Sequence, residues 1–143
     1  MTTAVMLMGI TLNVVAADVR TVNDVVSDSE MIDVEGDGVA DCYISCNYGS
    51  GYATAITMVY ANDEVSYIYA YASVDVEIMD ASGTVEYHGS DDDDDEKFNT
   101  DTARATAEFS ENVSYNVAIF AESSHEAIID FSEASNSLYV ESY

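Results

Sequence analysis

The sequence has very few basic residues. Lysine and arginine together number three against 28 aspartates and glutamates, which gives a formal net charge of −25 over 143 residues. The three are Arg20, Lys97 and Arg104. Proteins bind the phosphate backbone of nucleic acids mainly through lysine and arginine, which displace its counterions, and anionic membrane surfaces attract the same residues. The shortage of basic residues therefore excludes direct nucleic-acid binding and disfavours binding to an anionic membrane.

Proline and tryptophan are absent, and only two cysteines are present. Turns must therefore be made by glycine, asparagine, aspartate and serine. Cys42 and Cys46 lie four residues apart. On one strand, at ~3.3 Å per residue, their Cα atoms would be ~13 Å apart, whereas a disulfide requires less than about 7 Å. We expect two buried thiols, with a cross-link to another subunit as the alternative.

The chain is nevertheless apolar enough to fold, because 48% of its residues are hydrophobic and 10% are aromatic. Disordered acidic segments have low hydrophobicity and few aromatics. Dense negative charge repels itself, and salt screens this repulsion because the Debye length falls to ~3 Å at 1 M. The composition resembles that of halophilic proteins, and virion and marine surface proteins can share it. We expect one folded domain adapted to high salt.

Residues 1–28 differ from the rest, so we predict an N-terminal segment at 1–28 and an acidic domain at 29–143. Apolar residues recur in the segment at spacings of three and four, as on an amphipathic helix, namely at Met8, Leu12, Val15, Val19, Val22 and Val26. Alternation from Ala4 to Val14 also fits a strand, and the apolar opening is similar to a signal peptide cleaved near Ala17. The opening is too short for a membrane span of ~20 residues. A structural helix or strand, a cleaved signal and a pilin-like assembly helix remain open.

From Met31 onwards apolar residues recur at every second position, which indicates half-buried strands. Clusters of glycine, asparagine, aspartate and serine separate these runs. The pattern predicts strands at 41–48, 52–61, 65–79, 84–88, 102–110, 113–122, 126–132 and 137–142. We therefore predict an all-β fold, an antiparallel β-sandwich of the jelly-roll or immunoglobulin-like type, preceded by an N-terminal helix or extended strand.

One stretch carries oxygen ligands at a regular spacing, namely Asp33, Glu35, Asp37, the carbonyl of Val39, and Asp41. Hard cations prefer such oxygens, and the intervening glycines allow the tight turns that bring them together. Residues 33–41 resemble the Asp-rich calcium loops of thrombospondin type-3 repeats and of FG-GAP repeats, and the first nine positions of an EF-hand loop. The resemblance implies that these five residues bind Ca²⁺. A Gly/Asp hairpin turn without a metal is the alternative.

Tyrosine outnumbers phenylalanine eleven to four. Tyr67, Tyr69 and Tyr71 alternate with other residues, so we expect all three on one face of a strand. Tyrosine suits surfaces that are apolar on one side and wet on the other, as interfaces are. We predict that this face contacts neighbouring subunits or stacks on glycans. A core or cross-strand ladder of side chains is the alternative.

Six consecutive carboxylates, Asp91 to Glu96, are typical of a solvated loop whose charges repel one another. A weak cation-binding segment is the functional alternative. We expect His88 and His125 at the surface, because each lies beside a predicted turn. The chain contains no nucleophile-elbow, zinc-protease or phosphate-loop motif, so nothing in the sequence indicates an enzyme.

Together these features predict a non-enzymatic structural subunit that associates with itself or with other structural subunits. A virion is one expected location, with the protein as a decoration, turret or tail component, and an extracellular filament or surface layer is the other. Ca²⁺ would stabilise the subunit. The alternative is a secreted, calcium-dependent module that binds glycans or a cell surface.

Overall fold

The computed structural model describes residues 25–47, 49–111 and 118–143. All of the regular structure in these ranges is β-strand. In chain order the strands are β1 (Val26–Asp33), β2 (Gly38–Asn47), β3 (Tyr52–Val65), β4 (Ile68–Met79), β5 (Val85–Lys97), β6 (Thr100–Ser110), β7 (Ala118–Ile129) and β8 (Ser132–Ser142). The predicted all-β fold is confirmed.

The strands form two four-stranded sheets in which every pair is antiparallel. Sheet A has the order β1-β2-β3-β6, and sheet B has the order β5-β4-β7-β8. The chain builds β1 to β3 as consecutive hairpins, crosses to sheet B for β4 and β5, returns to place β6 beside β3, and crosses again for β7 and β8. The two sheets pack against each other, so the predicted β-sandwich is confirmed.

The core lies between the sheets and consists mainly of alanine, valine and isoleucine. In β4 every second residue from Ile68 to Ile78 is buried, whereas the residues between them face outward. This alternation follows from strand geometry, because successive side chains point to opposite faces. Each sheet therefore has one buried face and one outer face, and the outer faces carry the surface chemistry.

Two strands differ from the prediction because they are rich in acidic residues. β1 has no counterpart among the predicted strands, since it is an edge strand with polar residues at most positions. β5 runs on to Lys97 through the acidic segment for which we expect a loop. Hydrophobic alternation detects strands that bury one face, and neither of these segments shows it.

The turns implied by the gaps between predicted strands at 62–64 and 123–125 are also wrong. Ser123 and Ser124 lie inside β7, which is one strand where the pattern predicts two. Asn62 and Asp63 lie inside β3, at the point where its pairing with β6 becomes irregular. Serine and asparagine favour turns locally, but here the neighbouring strands hold them in extended backbone.

The N-terminal segment is described only from Val25 onward. The structural helix or strand, the cleaved signal and the pilin-like assembly helix predicted for residues 1–24 lie outside the described residues, as do residues 113–117 of the predicted strand at 113–122. β1 begins at Val26, so the last three residues of the predicted segment belong to sheet A. Within the described ranges no helix is long and apolar enough to cross a membrane.

Gly38 begins β2 at a point where β3 approaches closely. A Cβ atom added there would overlap the carbonyl oxygen of Tyr60 and would lie 2.6 Å from Cδ1 of Ile129. We expect Gly38→Ala to lower the free energy of unfolding by about 3 kcal/mol, because the backbone must move to relieve the overlap. Urea denaturation measures this loss.

Gly83→Ala is the matched control. Gly83 has a φ of +79°, but a Cβ atom there would meet nothing within 4 Å. We expect a smaller loss of about 1 kcal/mol, which is the cost of left-handed backbone for an alanine. Equal losses in the two variants would contradict the close approach of β2 and β3.

Candidate interaction surfaces

The outer face of sheet B is strongly acidic. The register of its described strands places nine carboxylates on this face, namely Asp75, Glu77, Asp92, Asp94, Glu96, Glu122, Glu126, Glu133 and Glu141. Neighbouring strands are ~4.8 Å apart, so the carboxylates lie in adjacent rows. Like charges at this density repel one another. The face therefore favours water and cations over a second acidic surface.

Tyr67, Tyr69 and Tyr71 are half-buried on this acidic face. The shared face that their alternation predicts is confirmed, and the residues between them supply the core. The ring centroid of Tyr67 lies 5.6 Å from that of Phe98. Partial burial and then the neighbouring carboxylates raise the pKa of Tyr69. A role of these tyrosines in an interface stays a prediction.

A depression of about 410 Å³ opens on the same face beside Tyr71. Its other lining includes one carboxylate, one amide and three hydroxyls, from Glu126, Asn136, Ser124, Ser135 and Ser137. An aromatic ring beside such hydrogen-bonding groups suits a neutral polar ring such as a sugar. This depression is the described feature that best fits the glycan alternative.

The outer face of sheet A carries much less charge. At the paired positions of its strands this face has three carboxylates, Asp33, Asp41 and Glu108, and Arg104 offsets one of them. Its large apolar and aromatic side chains are Met31, Val39, Tyr43, Tyr52, Ile56, Met58 and Tyr60. Met31 is 66% exposed and Tyr60 is 39% exposed. The sandwich therefore has one acidic and one weakly charged, apolar outer face.

The acidic run from Asp91 to Glu96 is a strand and not the predicted loop. Alternate side chains of the run point to opposite sides of sheet B. Three of them point inward at the sheet edge, and each accepts a hydrogen bond of 2.8 Å from a backbone N–H of β6. The pairs are Asp95 with Arg104, Asp93 with Thr106, and Asp91 with Glu108. We term these three carboxylates the aspartate ladder.

The aspartate ladder closes the side of the sandwich between β5 and β6. These strands are the edges of the two sheets, and an edge strand presents backbone donors that attract foreign strands. The ladder takes three of these donors on β6, and hydrogen bonds to a charged acceptor are stronger than neutral ones. The loop prediction is wrong because repulsion within the run is offset by these backbone partners.

An ion pair ends the aspartate ladder, with Lys97 Nζ 2.7 Å from Asp95. Burial raises the pKa of Asp95, but the backbone N–H of Arg104 and the Lys97 ammonium outweigh it and hold the pKa below its usual value. Asp95 is therefore charged at neutral pH and accepts from both donors.

Polar contacts also bridge the opposite side of the sandwich, between β1 and β8. Nδ2 of Asn136 donates to Oε2 of Glu30 at 2.8 Å, and the hydroxyl of Ser132 donates to Asp37. Glu30 lies on the core-facing side of β1, opposite Cys42. Inward-pointing charges on edge strands oppose the addition of further strands. Carboxylate contacts therefore bridge both sides of the sandwich.

The predicted calcium loop begins as the turn between β1 and β2. Oδ1 of Asp33 accepts a hydrogen bond from the N–H of Gly36 at 2.6 Å. Glu35 has left-handed backbone with a φ of 51°. These contacts belong to a tight Gly/Asp turn, which is the alternative that the sequence leaves open.

The remaining predicted ligands are divided between this turn and β2. Asp37 lies in the turn and contacts Ser132, whereas Val39 and Asp41 are within β2. The Asp37 side chain contacts the first residue of β8, whereas Asp41 lies on the outer face of sheet A. In the described part of the chain, no three His, Cys, Asp or Glu side chains are grouped to hold a metal ion. Calcium binding stays a prediction.

His125 is 2% exposed in the core, where the sequence predicts a surface position. Its Nδ1 lies 2.8 Å from Oγ1 of Thr57 on β3, and its Nε2 lies 2.8 Å from Oγ of Ser123. The Thr57 hydroxyl donates to the Tyr71 carbonyl at 2.6 Å. Since a hydroxyl has one proton, Nδ1 must donate to Thr57 and Nε2 must accept from Ser123.

This network links the two sheets through a neutral imidazole. Burial lowers the pKa of His125 from 6.5 to about 4, so the ring is uncharged at neutral pH. Ser123 is 1% exposed, which closes it to substrates. The surface prediction for His125 is wrong because serine and threonine on the inner faces satisfy the ring. His88 is exposed, as predicted.

Cys42 and Cys46 are free, buried thiols on β2. Burial raises the pKa of both thiols to about 11. Both are therefore protonated at neutral pH, and a protonated thiol is a poor nucleophile. The predicted buried thiols are confirmed.

Comparison of the sequence with protein-family models and with curated proteins gives no match. The two outer faces and the sandwich edges are therefore the features of the molecule that bear on its function.

Asp93 is the middle carboxylate of the aspartate ladder. We expect Asp93→Ala to lower the free energy of unfolding by about 1 kcal/mol, because the Thr106 N–H loses a charged acceptor. The amide of Thr106 should also exchange with solvent faster. The control variant Asp94→Ala removes an outward charge from the same strand. It should not lower the free energy of unfolding, because it relieves repulsion between carboxylates. Urea denaturation and hydrogen exchange by NMR measure both variants, and equal effects would contradict the ladder.

The neutral state of His125 predicts a dependence of stability on pH. Because its folded pKa is depressed, its contribution is complete above about pH 6.5 and is lost as pH falls towards 4. A difference of about 2.5 pKa units corresponds to about 3 kcal/mol. Wild type and His125→Gln, compared by urea denaturation at pH 7 and 4, should differ in pH dependence by up to this amount. If NMR showed that the imidazole of His125 titrates near pH 6.5, the network would be contradicted.

Proposed function

We propose that this protein is a non-enzymatic structural subunit that associates with itself in a larger assembly. The assembly is a virion, in which the protein is a decoration, turret or tail component, or an extracellular filament or surface layer. The observation that carries the proposal is the unequal charge of the outer faces, with nine carboxylates on sheet B and three on sheet A. Apolar side chains on a weakly charged face of an otherwise acidic molecule mark a candidate interaction site.

The net charge of −25 makes this association dependent on salt. Copies of the chain repel one another, and the Debye length that limits the repulsion falls from ~8 Å at 0.15 M to ~3 Å at 1 M. Burying apolar surface contributes about 25 cal/mol per Å². Association becomes favourable when this gain exceeds the screened repulsion, so the proposal includes adaptation to a saline medium.

Two further parts of the chain have supporting roles in the proposal. Residues 1–24 are largely apolar in sequence and precede β1, an edge strand of sheet A. In the proposal they pack on a neighbouring subunit. Ca²⁺ bound by residues 33–41 would neutralise carboxylates locally and so lower the repulsion between subunits.

A secreted, calcium-dependent module that binds glycans or a cell surface is the second candidate. The depression beside Tyr71 supports it, because a half-buried ring lies there among hydroxyl groups. The acidic rows on the same face would then exclude anionic ligands and favour neutral sugars. This candidate needs no self-association, so the oligomeric state separates the two functions.

Light scattering after size exclusion tests the proposal. We expect the chain to be monomeric at ~0.1 M salt and to form oligomers at ~2 M, because screening removes the repulsion between acidic surfaces. Calcium should promote the oligomers at intermediate salt, and a chelator should reverse that effect. The control is the same series at fixed ionic strength with magnesium in place of calcium.

A chain that stays monomeric at every salt concentration would contradict the proposed function and favour the glycan-binding candidate. Oligomers that form with salt but ignore calcium and chelator would support assembly and contradict the calcium loop.

A further inference from the structure

We infer that the outer face of sheet A packs against the same face of a second copy of this chain, with a two-fold axis running along β3. This inference rests on the proposed self-association and names the surface that would carry it. Four features support the inference, namely the charge distribution, the state of the sheet edges, the dimensions of the face and the register of its charged residues.

The charge distribution favours contact through sheet A. Stacked sheets lie ~10 Å apart, so two sandwiches that meet through sheet A form four layers with the acidic faces outermost. Those faces are then ~30 Å apart, several times the Debye length of ~8 Å at physiological ionic strength. Contact through sheet B would instead bring nine carboxylates of each copy together.

The edges of the sandwich are less suitable than this face. The aspartate ladder occupies three backbone donors of β6, and Glu30 points inward on β1 and contacts Asn136. Strand addition requires unpaired backbone groups at an accessible edge. Carboxylates stand at both of these edges of sheet A, whereas its outer face is open.

The dimensions of the face suit a marginal dimer. With the axis along β3, the strands β2, β3 and β6 of each copy face those of the other, and β1 has no strand opposite it. Three strands ~4.8 Å apart and about ten residues long, at ~3.3 Å per residue, make a face of about 480 Å² per copy. The pair would bury about 950 Å² in total, which is in the range of weak or transient interfaces. An interface of this size is stable only when repulsion is screened, as the proposed dependence on salt requires.

The charged residues of the face are self-complementary. Asp41, Met58 and Arg104 form one row across β2, β3 and β6. A two-fold axis along β3 exchanges the positions of β2 and β6, so Asp41 of each copy faces Arg104 of the other. Arg104 forms no ion pair within the described residues, which leaves its guanidinium available to a second copy.

The same axis places apolar residues opposite their own counterparts. Ile56 lies beside Met58 on the outer face of β3, between Tyr43 on β2 and Thr106 on β6. A symmetric interface is self-complementary in this way, because each residue meets the surface that it also contributes. The centre of the interface would thus be apolar, with charge pairs on either side.

Matched variants test which face associates. Ile56 and Ile128 are half-buried isoleucines on the outer faces of sheets A and B respectively. We expect Ile56→Glu and Ile56→Lys each to weaken association at least tenfold, because both bury a charge, while Ile128→Glu changes it less than twofold. Sedimentation equilibrium at ~2 M salt measures association, and circular dichroism with thermal unfolding checks that each variant folds.

A charge exchange tests the two-fold arrangement. Arg104→Asp alone should weaken association, because it places two carboxylates together, and the double variant Asp41→Arg with Arg104→Asp should restore it. These measurements use a chelator and the lowest salt at which the unmodified chain then associates, so that neither calcium bound at Asp41 nor screening hides the effect. Rescue by the double variant is not expected from a merely structural role of either residue.

The outcomes separate the inference from the proposed function. Association that Ile128→Glu disrupts and Ile56→Glu does not would overturn the inference and leave self-association standing. Stronger association of Ile56→Lys would also overturn it, since the contact would then depend on net charge alone. A chain that is monomeric under all conditions would overturn both the inference and the proposed function. The same conclusion would hold if residues 1–24 covered the outer face of sheet A in their own copy.

Discussion

The structure depends on where 28 carboxylates can be placed on a 143-residue chain. An ionised carboxylate is costly to bury without partners, so a sandwich core of alanine, valine and isoleucine pushes the acids to outer faces, edges and turns. They are not spread evenly. Sheet B carries most of those on the outer faces, the edges carry inward-pointing acids, and the outer face of sheet A is left nearly neutral.

The acids at the edges have a structural role that their number alone does not suggest. In the aspartate ladder, each inward carboxylate of β5 accepts a backbone hydrogen bond from β6. The ladder joins the edges of two sheets without a continuous backbone pairing. An acidic edge also repels other acidic chains, so the molecule discourages strand addition at its sides and leaves its faces for contact. Charge repulsion and the hydrogen bonds of the aspartate ladder thus both oppose the addition of strands at the sheet edges.

Strands that bury one face were predictable from hydrophobic alternation, as β4 shows, and so were the shared face of Tyr67, Tyr69 and Tyr71 and the buried thiols. Segments stabilised by polar partners were not predictable. β5 lacks alternation because its ladder residues are aspartates, and His125 resembles a turn residue until its partner Thr57 on the other sheet is known. Both cases depend on residues distant in sequence, which local patterns do not contain.

The sequence by itself determined the fold class and the sign of the surface charge, because strand periodicity and composition are local properties. Only the tertiary structure decided which carboxylates share a face. Antiparallel register sets that grouping, and register depends on how two sheets align their apolar sides. The contrast between the acidic outer face of sheet B and the weakly charged outer face of sheet A is therefore a property of strand order, since the four strands that carry the nine outward carboxylates are all in sheet B.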